Sequence, residues 1–340
     1  MARYTAILIL IVCGFFQEAH AQWTIRKVGK QEYVTLDNVQ QFYRFPHRKI
    51  SNKSIILHGQ QGSIQATIGS KELLINGIKF ILAYPVVESS GEVLISRMDL
   101  SKLIEPILRP GHIKGAADFN TIILDPGHGG HDKGAVGPWG NEKDFNLDVA
   151  RRARNILTAQ GYEVKFTRST DVFIPLHDRA NFANRHKNAI FISIHFNASN
   201  NRNATGIETF TLAPRGVPST AQDGPRVSDF VQCKGNARDQ ENMALATAMH
   251  SSMLKHLQLF DRGVKRARFV VIREITIPGV LLEGGFVSHP KDSHKIASSQ
   301  FRQQFALAIA DAVRKYKIST TSPQPTPYLQ KAEASATIRP

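Results

Sequence analysis

The sequence predicts an α/β protein: a mainly parallel sheet flanked by helices on both faces, preceded by a small β-rich α+β domain. Three observations predict it. From residue 121 onward, short apolar runs alternate with stretches of helical period, as strands joined by crossover helices do. Before residue 111 the runs are shorter, alternate apolar with polar residues and are punctuated by glycine. Two of the later runs also end alike. Thr121 to Leu124 delivers Asp125-Pro126-Gly127-His128-Gly129-Gly130, and Phe191 to Ile194 delivers His195-Phe196-Asn197-Ala198. Each strand presents a histidine as it leaves the sheet.

The elements follow in order. Residues 1–21 read as a secretory signal: Arg3, an apolar core from Ala6 to Phe16, and Ala19-His20-Ala21 as a small-x-small cleavage site. The core is too short for a transmembrane segment, and no later run reaches the needed length. Residues 22–111 form the β-rich domain. Its strands are expected at 33–36, 54–58, 63–68, 72–75, 78–82 and 93–96, with Asn76-Gly77 as a hairpin turn. Asp37 is expected to cap a helix running to Tyr43, and Asp99 a helix over 100–108. Residues 112–120 read as a linker. The main domain, 121–317, places strands at 121–125, 162–167, 190–194, 207–212, 270–272 and 279–283. Its helices are expected at 142–160, 176–187, 240–258 and 298–316. Residues 213–239 are polar, hold prolines and glycines, and show no clear element, as functional or disordered loops do. Residues 318–340 read as a disordered tail.

Charge and cysteine content narrow the class. The net charge is +15, so polyanions attract the protein. No basic run is interleaved with aromatics in the way that stacks bases, so nucleic acid is not the expected partner. An anionic envelope polymer fits as well. Without the signal one cysteine remains, Cys233, so no intramolecular disulfide is expected and the fold must rest on its core.

The chemistry gathers at four positions. His128 sits in a glycine-rich turn and His195 in the equivalent place on another strand, where sites collect beyond the carboxyl ends of an open sheet. Alone, His128 reads as a surface-turn histidine. Glu142 opens a helix; alone it reads as a first-turn carboxylate favoured by the helix dipole. Glu283 ends the run Val280-Leu281-Leu282, where a carboxylate is costly to bury unless paired or beside a metal. Taken together, two histidines, a glutamate as third ligand and a glutamate as base make a mononuclear zinc hydrolase. The glycines lack the spacing of a dinucleotide loop. Asp125 is a candidate for orienting His128, and His131 and His289 for a supporting role. His250 and His256 are expected to face solvent.

These residues carry a resemblance. Residues 121–317 resemble the zinc-dependent N-acetylmuramoyl-L-alanine amidase catalytic domain, the Amidase_3 family. The matching phrases are Ile123 to Gly130, Glu142, Thr167-Arg168 with Asp171, Arg179 with Ala183-Asn184, Phe191 to Ala198, Gly206 to Thr209 and Pro278 to Ser288, in family order. The resemblance implies that His128, Glu142 and His195 bind Zn2+ and that Glu283 is the catalytic carboxylate. It also implies peptidoglycan as substrate, a protein activator as a candidate partner, and an exported protein in the periplasm or outside the cell. Gly284 and His289 depart from the commoner family residues. Some relatives carry an inhibitory insertion where residues 213–239 lie, which makes autoinhibition an expectation to test. Residues 22–111 resemble the small domain at the N-terminus of some copper amine oxidases and in many bacterial envelope proteins, through strand rhythm and phrases such as Ile75-Asn76-Gly77. The rivals are a zinc peptidase cutting within the stem peptide, a non-catalytic wall-binding protein and a basic polyanion binder.

Overall fold

In the N-terminal unit, alternating residues make short strands and two-residue turns reverse them. The computed structural model describes residues 23–321, except 61 and 117; the expected signal peptide and the tail beyond 321 lie outside the described residues. The unit opens with β1 (Ile25–Val28), β2 (Gln31–Thr35) and α1 (Leu36–Phe42). A meander follows: β3 (His47–Ser51), β4 (Ser54–Gly59), β5 (Gly62–Thr67), β6 (Glu72–Ile75) and β7 (Ile78–Ile81). Asn76 and Gly77 turn β6 into β7 with φ of 53° and 75°, the left-handed pair such a hairpin requires. Then come β8 (Val87–Ser89), β9 (Glu92–Ser96), α2 (Arg97–Asp99), a π turn over Leu100–Ile104 and α3 (Glu105–Leu108).

The second unit begins with β10 (Thr121–Pro126), the small hairpin β11 (Val136–Gly137) and β12 (Gly140–Asn141), and α4 (Glu142–Ala159). It continues through β13 (Glu163–Phe166), α5 (Leu176–Asn184), β14 (Ala189–Asn197) and β15 (Ile207–Leu212). Next are α6 (Asp239–Leu257), β16 (Asp261–Ala267), α7 (Val270–Arg273) and β17 (Gly279–Phe286). The last two helices are α8 (Pro290–Ala297) and α9 (Ser299–Thr321). Side chains alternate across its buried strands. Ile122, Leu124, Ile190, Ile192, Val280 and Leu282 join the core under α4, α6 and α9. Ile123, Phe191 and Leu281 join a smaller cluster with α5 and α7 on the other face.

One eleven-stranded sheet runs through both units, in the order β13-β10-β14-β17-β15-β16-β7-β6-β5-β4-β3. Five of its pairings are parallel and five antiparallel. The expected mainly parallel sheet is therefore a mixed one. Crossover helices enforce parallel pairing in the second unit, apart from β15 against β17, and hairpins enforce antiparallel pairing in the meander. The halves meet where Val264 of β16 stands opposite Phe80 of β7. Polar anchors fix that seam. Arg266 Nη2 donates to Asp99 Oδ1 at 3.1 Å, both side chains being almost fully buried. Asp99 also accepts from the Ala83 and Tyr84 amides. Asp261 accepts from the Lys79 amide at 3.0 Å and from its own neighbour Gly263.

Several boundaries differ from expectation. The run 270–272 is helical, in α7, and the strand is Asp261–Ala267 instead. Its polar sequence hides a strand whose charges are paired: Arg262 and Lys265 with Glu208, Arg266 with Asp99. Thr35, not Asp37, caps α1. Ser96 caps α2, which frees Asp99 for the seam. Helix α9 continues to Thr321, with the Ser319 and Thr320 hydroxyls bonded back to the Tyr316 carbonyl. His250 faces the core, not solvent. It is fully buried between Thr209 Oγ1 and Asp261 Oδ1, each 2.9 Å away.

Candidate metal centre

The strand ends place the site. β10 and β14 are parallel neighbours in register, so their carboxyl ends lie side by side and release His128 and His195 together. His195 in turn stands opposite Glu283 of β17. His128 has φ +61°, unusual for a residue with a side chain. Two buried guanidinium groups hold the turn in that shape. Arg179 donates to Asp125 Oδ1 and to the carbonyls of Pro126, His128 and Ile174. Arg168 donates to the carbonyls of Pro126, Gly127, Lys143 and Thr170.

Glu142, first residue of α4, reaches the two imidazoles. His128 Nε2 lies 3.2 Å from Glu142 Oε2, and His195 Nδ1 lies 2.9 Å from Glu142 Oε1. One ligand atom from each of the three residues falls within 4.8 Å of the others. The Ala135 and Phe196 amides and Asn146 Nδ2 also donate to the Glu142 carboxylate. Burial opposes ionisation of Glu142, but hydrogen bonds and charge from His128 and His195 hold its carboxyl well below the usual range. Burial likewise works against a charged His128, and the carboxylates of Glu142 and Asp132 outweigh it and raise its pKa.

The carboxylate that orients His128 is Asp132, 2.8 Å from Nδ1, not Asp125. Asp125 is instead a buried hub for Arg179, Thr167 Oγ1 and Ser193 Oγ. Asp132 was missed because it lies in a loop with no periodic pattern; its i+4 distance from His128 was the available signal. His131 stacks near Phe173, with ring centres 4.3 Å apart. His289 caps α8 by accepting from the Asp292 amide. Neither touches the cluster.

Glycines make the room. A Cβ at Gly127 would collide with the His195 ring, and one at Gly134 with Glu142 and His128. Gly284 has its own reason: a Cβ there would strike Phe305 and Phe196.

Glu283 is half-buried, and its inward Oε2 has no hydrogen-bond partner among the described residues. Burial pushes its pKa well above the usual range, helped by the charges of Glu142 and Glu208. Together with His128, Asp132 and His195 it lines a cleft of about 680 Å³. Phe173, Leu176 and Phe269 give that cleft an apolar wall. No residue of 213–239 is among those lining it; the segment packs beside β16, through Thr220 to Arg266 and Asp229 to Arg268.

Two imidazoles and a carboxylate are the donor set of three-ligand catalytic zinc sites. The residues present fit such an ion, and a buried carboxyl oxygen left unpartnered beside them suits a proton carrier. Fold and cluster define an α/β enzyme with a candidate mononuclear metal centre.

Comparison with known proteins gives the family. The profile of the N-acetylmuramoyl-L-alanine amidase family, Amidase_3, matches residues 122–315, more than half of the chain. The chain belongs to that family of enzymes. It is 33% identical over 232 residues to N-acetylmuramoyl-L-alanine amidase AmiA of Escherichia coli, covering 61% of this chain and 80% of that protein. It is 36% identical over 218 residues to N-acetylmuramoyl-L-alanine amidase AmiC of Neisseria meningitidis serogroup B, covering 58% of this chain and 52% of that protein. Among solved structures, the catalytic domain of the amidase CwlV from Bacillus (Paenibacillus) polymyxa var. colistinus aligns with TM-score 0.49 and 32% identity. That alignment covers 58% of this chain and 98% of the other.

Proposed function

We propose that this chain is an exported, zinc-dependent N-acetylmuramoyl-L-alanine amidase. It hydrolyses the amide between the lactyl group of muramic acid and the L-alanine of peptidoglycan stem peptides, in wall remodelling or daughter-cell separation. The observation that carries the reading is the unpartnered Oε2 of Glu283, buried in the same cleft as the His128–Glu142–His195 cluster. His128, Glu142 and His195 hold the zinc. A zinc ion there supplies Lewis acidity toward the carbonyl and lowers the pKa of a water.

The chain's own residues do the rest. Asp132 fixes the tautomer and orientation of His128. The exposed apolar side chains of Phe173, Leu176 and Phe269 offer the substrate a hydrophobic wall. Glu283 Oε2 accepts a proton from the attacking water and returns it to the departing alanine nitrogen. The carboxylate that takes the proton from water is thereby the acid that returns it to nitrogen.

Digestion of purified peptidoglycan, followed by mass spectrometry with and without chelator, tests this. Free peptides beginning at L-alanine, lost on chelation and restored by zinc, are expected. Shortened peptides still attached to glycan would replace the reading with a stem peptidase. No release at all would leave wall binding.

A further inference from the structure

Glu283 keeps a buried carboxyl oxygen without a partner although two cations, Arg262 and Lys265, are bound to the carboxylate on the next strand. The sheet register shows why they stop there. Glu208 of β15 lies directly opposite Glu283 of β17 in an antiparallel pair. Both side chains rise from the cleft face. Leu281, two residues before Glu283, lines the cleft. Phe210, two residues after Glu208, packs edge-on against Phe269, which lines it as well. Directly opposite residues on one face of a sheet have Cβ atoms about 5 Å apart.

On the other side of β15, β16 carries a bulge. Ile207 stands opposite Asp261 and Thr209 opposite Val264, so Arg262 and Gly263 together face Glu208. The extra residue, with Gly263 at φ +92°, brings two cations to one carboxylate. Arg262 Nε donates to Glu208 Oε1 at 2.6 Å, and Lys265 Nζ donates to the same oxygen. Asn197 Nδ2 donates to Oε2 at 2.9 Å. Glu208 is buried and does not line the cleft, so it does not meet substrate.

We propose that Glu208 is a positioning residue that keeps Arg262 and Lys265 off Glu283, so that Glu283 stays unpaired and free to carry a proton. The inference rests on the amidase reading, which gives Glu283 that task. A guanidinium or ammonium bound to Glu283 would hold it ionised and draw it toward β16, away from the reacting atoms. Glu208 is the nearer carboxylate to β16, and it takes both cations first.

The test compares Glu208→Gln with the triple variant Glu208→Gln/Arg262→Gln/Lys265→Met, which leaves none of the three charges. Each is the full zinc-loaded chain, checked for metal content and assayed for peptide release from a soluble N-acetylmuramoyl tripeptide. Glu208→Gln should lower kcat about 100-fold and leave KM within about twofold. Its crystal structure should show Arg262 or Lys265 in ion-pair contact with Glu283. The triple variant should recover kcat by about tenfold or more, as coupled neighbours do. Full kcat in Glu208→Gln, or a Glu283 still unpaired in that crystal, would overturn the proposal. So would a triple variant as slow as Glu208→Gln, the result a purely structural role gives. Should Glu208→Gln not fold, Glu208→Gln/Lys265→Met, which leaves Arg262 alone unpaired, takes its place with the same outcomes. Absence of product from the unmutated chain would sink the amidase reading, while the crystal contact would still decide whether Glu208 holds the cations away.

Discussion

The two halves of the eleven-stranded sheet share hydrogen bonds and one apolar core, yet only one carries a cleft rich in titratable groups. In the parallel half, β10, β14 and β17 all end on one side, so His128, His195 and Glu283 converge. In the meander of β3 to β7 successive strands end on opposite sides, and no cluster of three metal-ligating groups forms there among the described residues. Strand direction, more than residue content, decides where chemistry can collect: the meander has His47 and His58 as cross-strand partners and makes no site of them.

The strongest attack on this contrast is at Glu283. Glu283→Gln should lower turnover by roughly 10³-fold while elemental analysis still finds the metal. Full activity would detach the cleft from the strand-end argument. Next is the seam. Breaking the buried Asp99–Arg266 pair with Asp99→Asn or Arg266→Met should cost about 3 kcal/mol in urea unfolding. The double variant should cost less than the two losses added. Two resolved transitions in the unmutated protein would mean that the halves fold separately and the shared core is nominal. The smallest effect concerns the helical cover over the parallel half. Burial opposes it, but Lys315, Arg314 and Ser252 bring the half-buried Asp311 down to a pKa of about 2. An unfolded carboxyl titrates near ~4. The stabilisation is therefore complete above that value and is lost as pH falls toward about 2. Asp311→Asn should flatten the pH dependence of stability across that window, modestly, because the pair is partly solvated. An unchanged slope would show that the bridge contributes nothing.

The parallel half was legible because its strands are continuous apolar runs and its turns are rich in glycine. His128, His195 and Glu283 drew notice for the same reason, as polar residues delivered by apolar runs, whereas Glu142 opens a helix and gained meaning only beside the two histidines. The seam was not legible. Arg266 and Asp99 look like surface charges in the sequence, and only a partner 167 positions away makes them interior groups. β16 was misplaced because Asp261–Ala267 carries its burial in paired charges rather than apolar side chains. The three β-branched and apolar residues of Val270–Ile272 suggested a strand, and packing against the sheet made them a helical turn. His250 was misjudged because a single histidine on a helix gives no sign that Thr209 and Asp261 await both ring nitrogens.

The pairing of β7 with β16 has a consequence for how copies of the molecule meet one another. Without β7, β16 would be a bare sheet border, open to pairing with another copy. The meander moves that border to β3, whose five residues are all exposed and include Arg48 and Lys49. Charges on an outermost strand deter strand-to-strand aggregation. The N-terminal unit thus works as a hem: it finishes the edge of the sheet beside the cleft and leaves a border that repels its own kind.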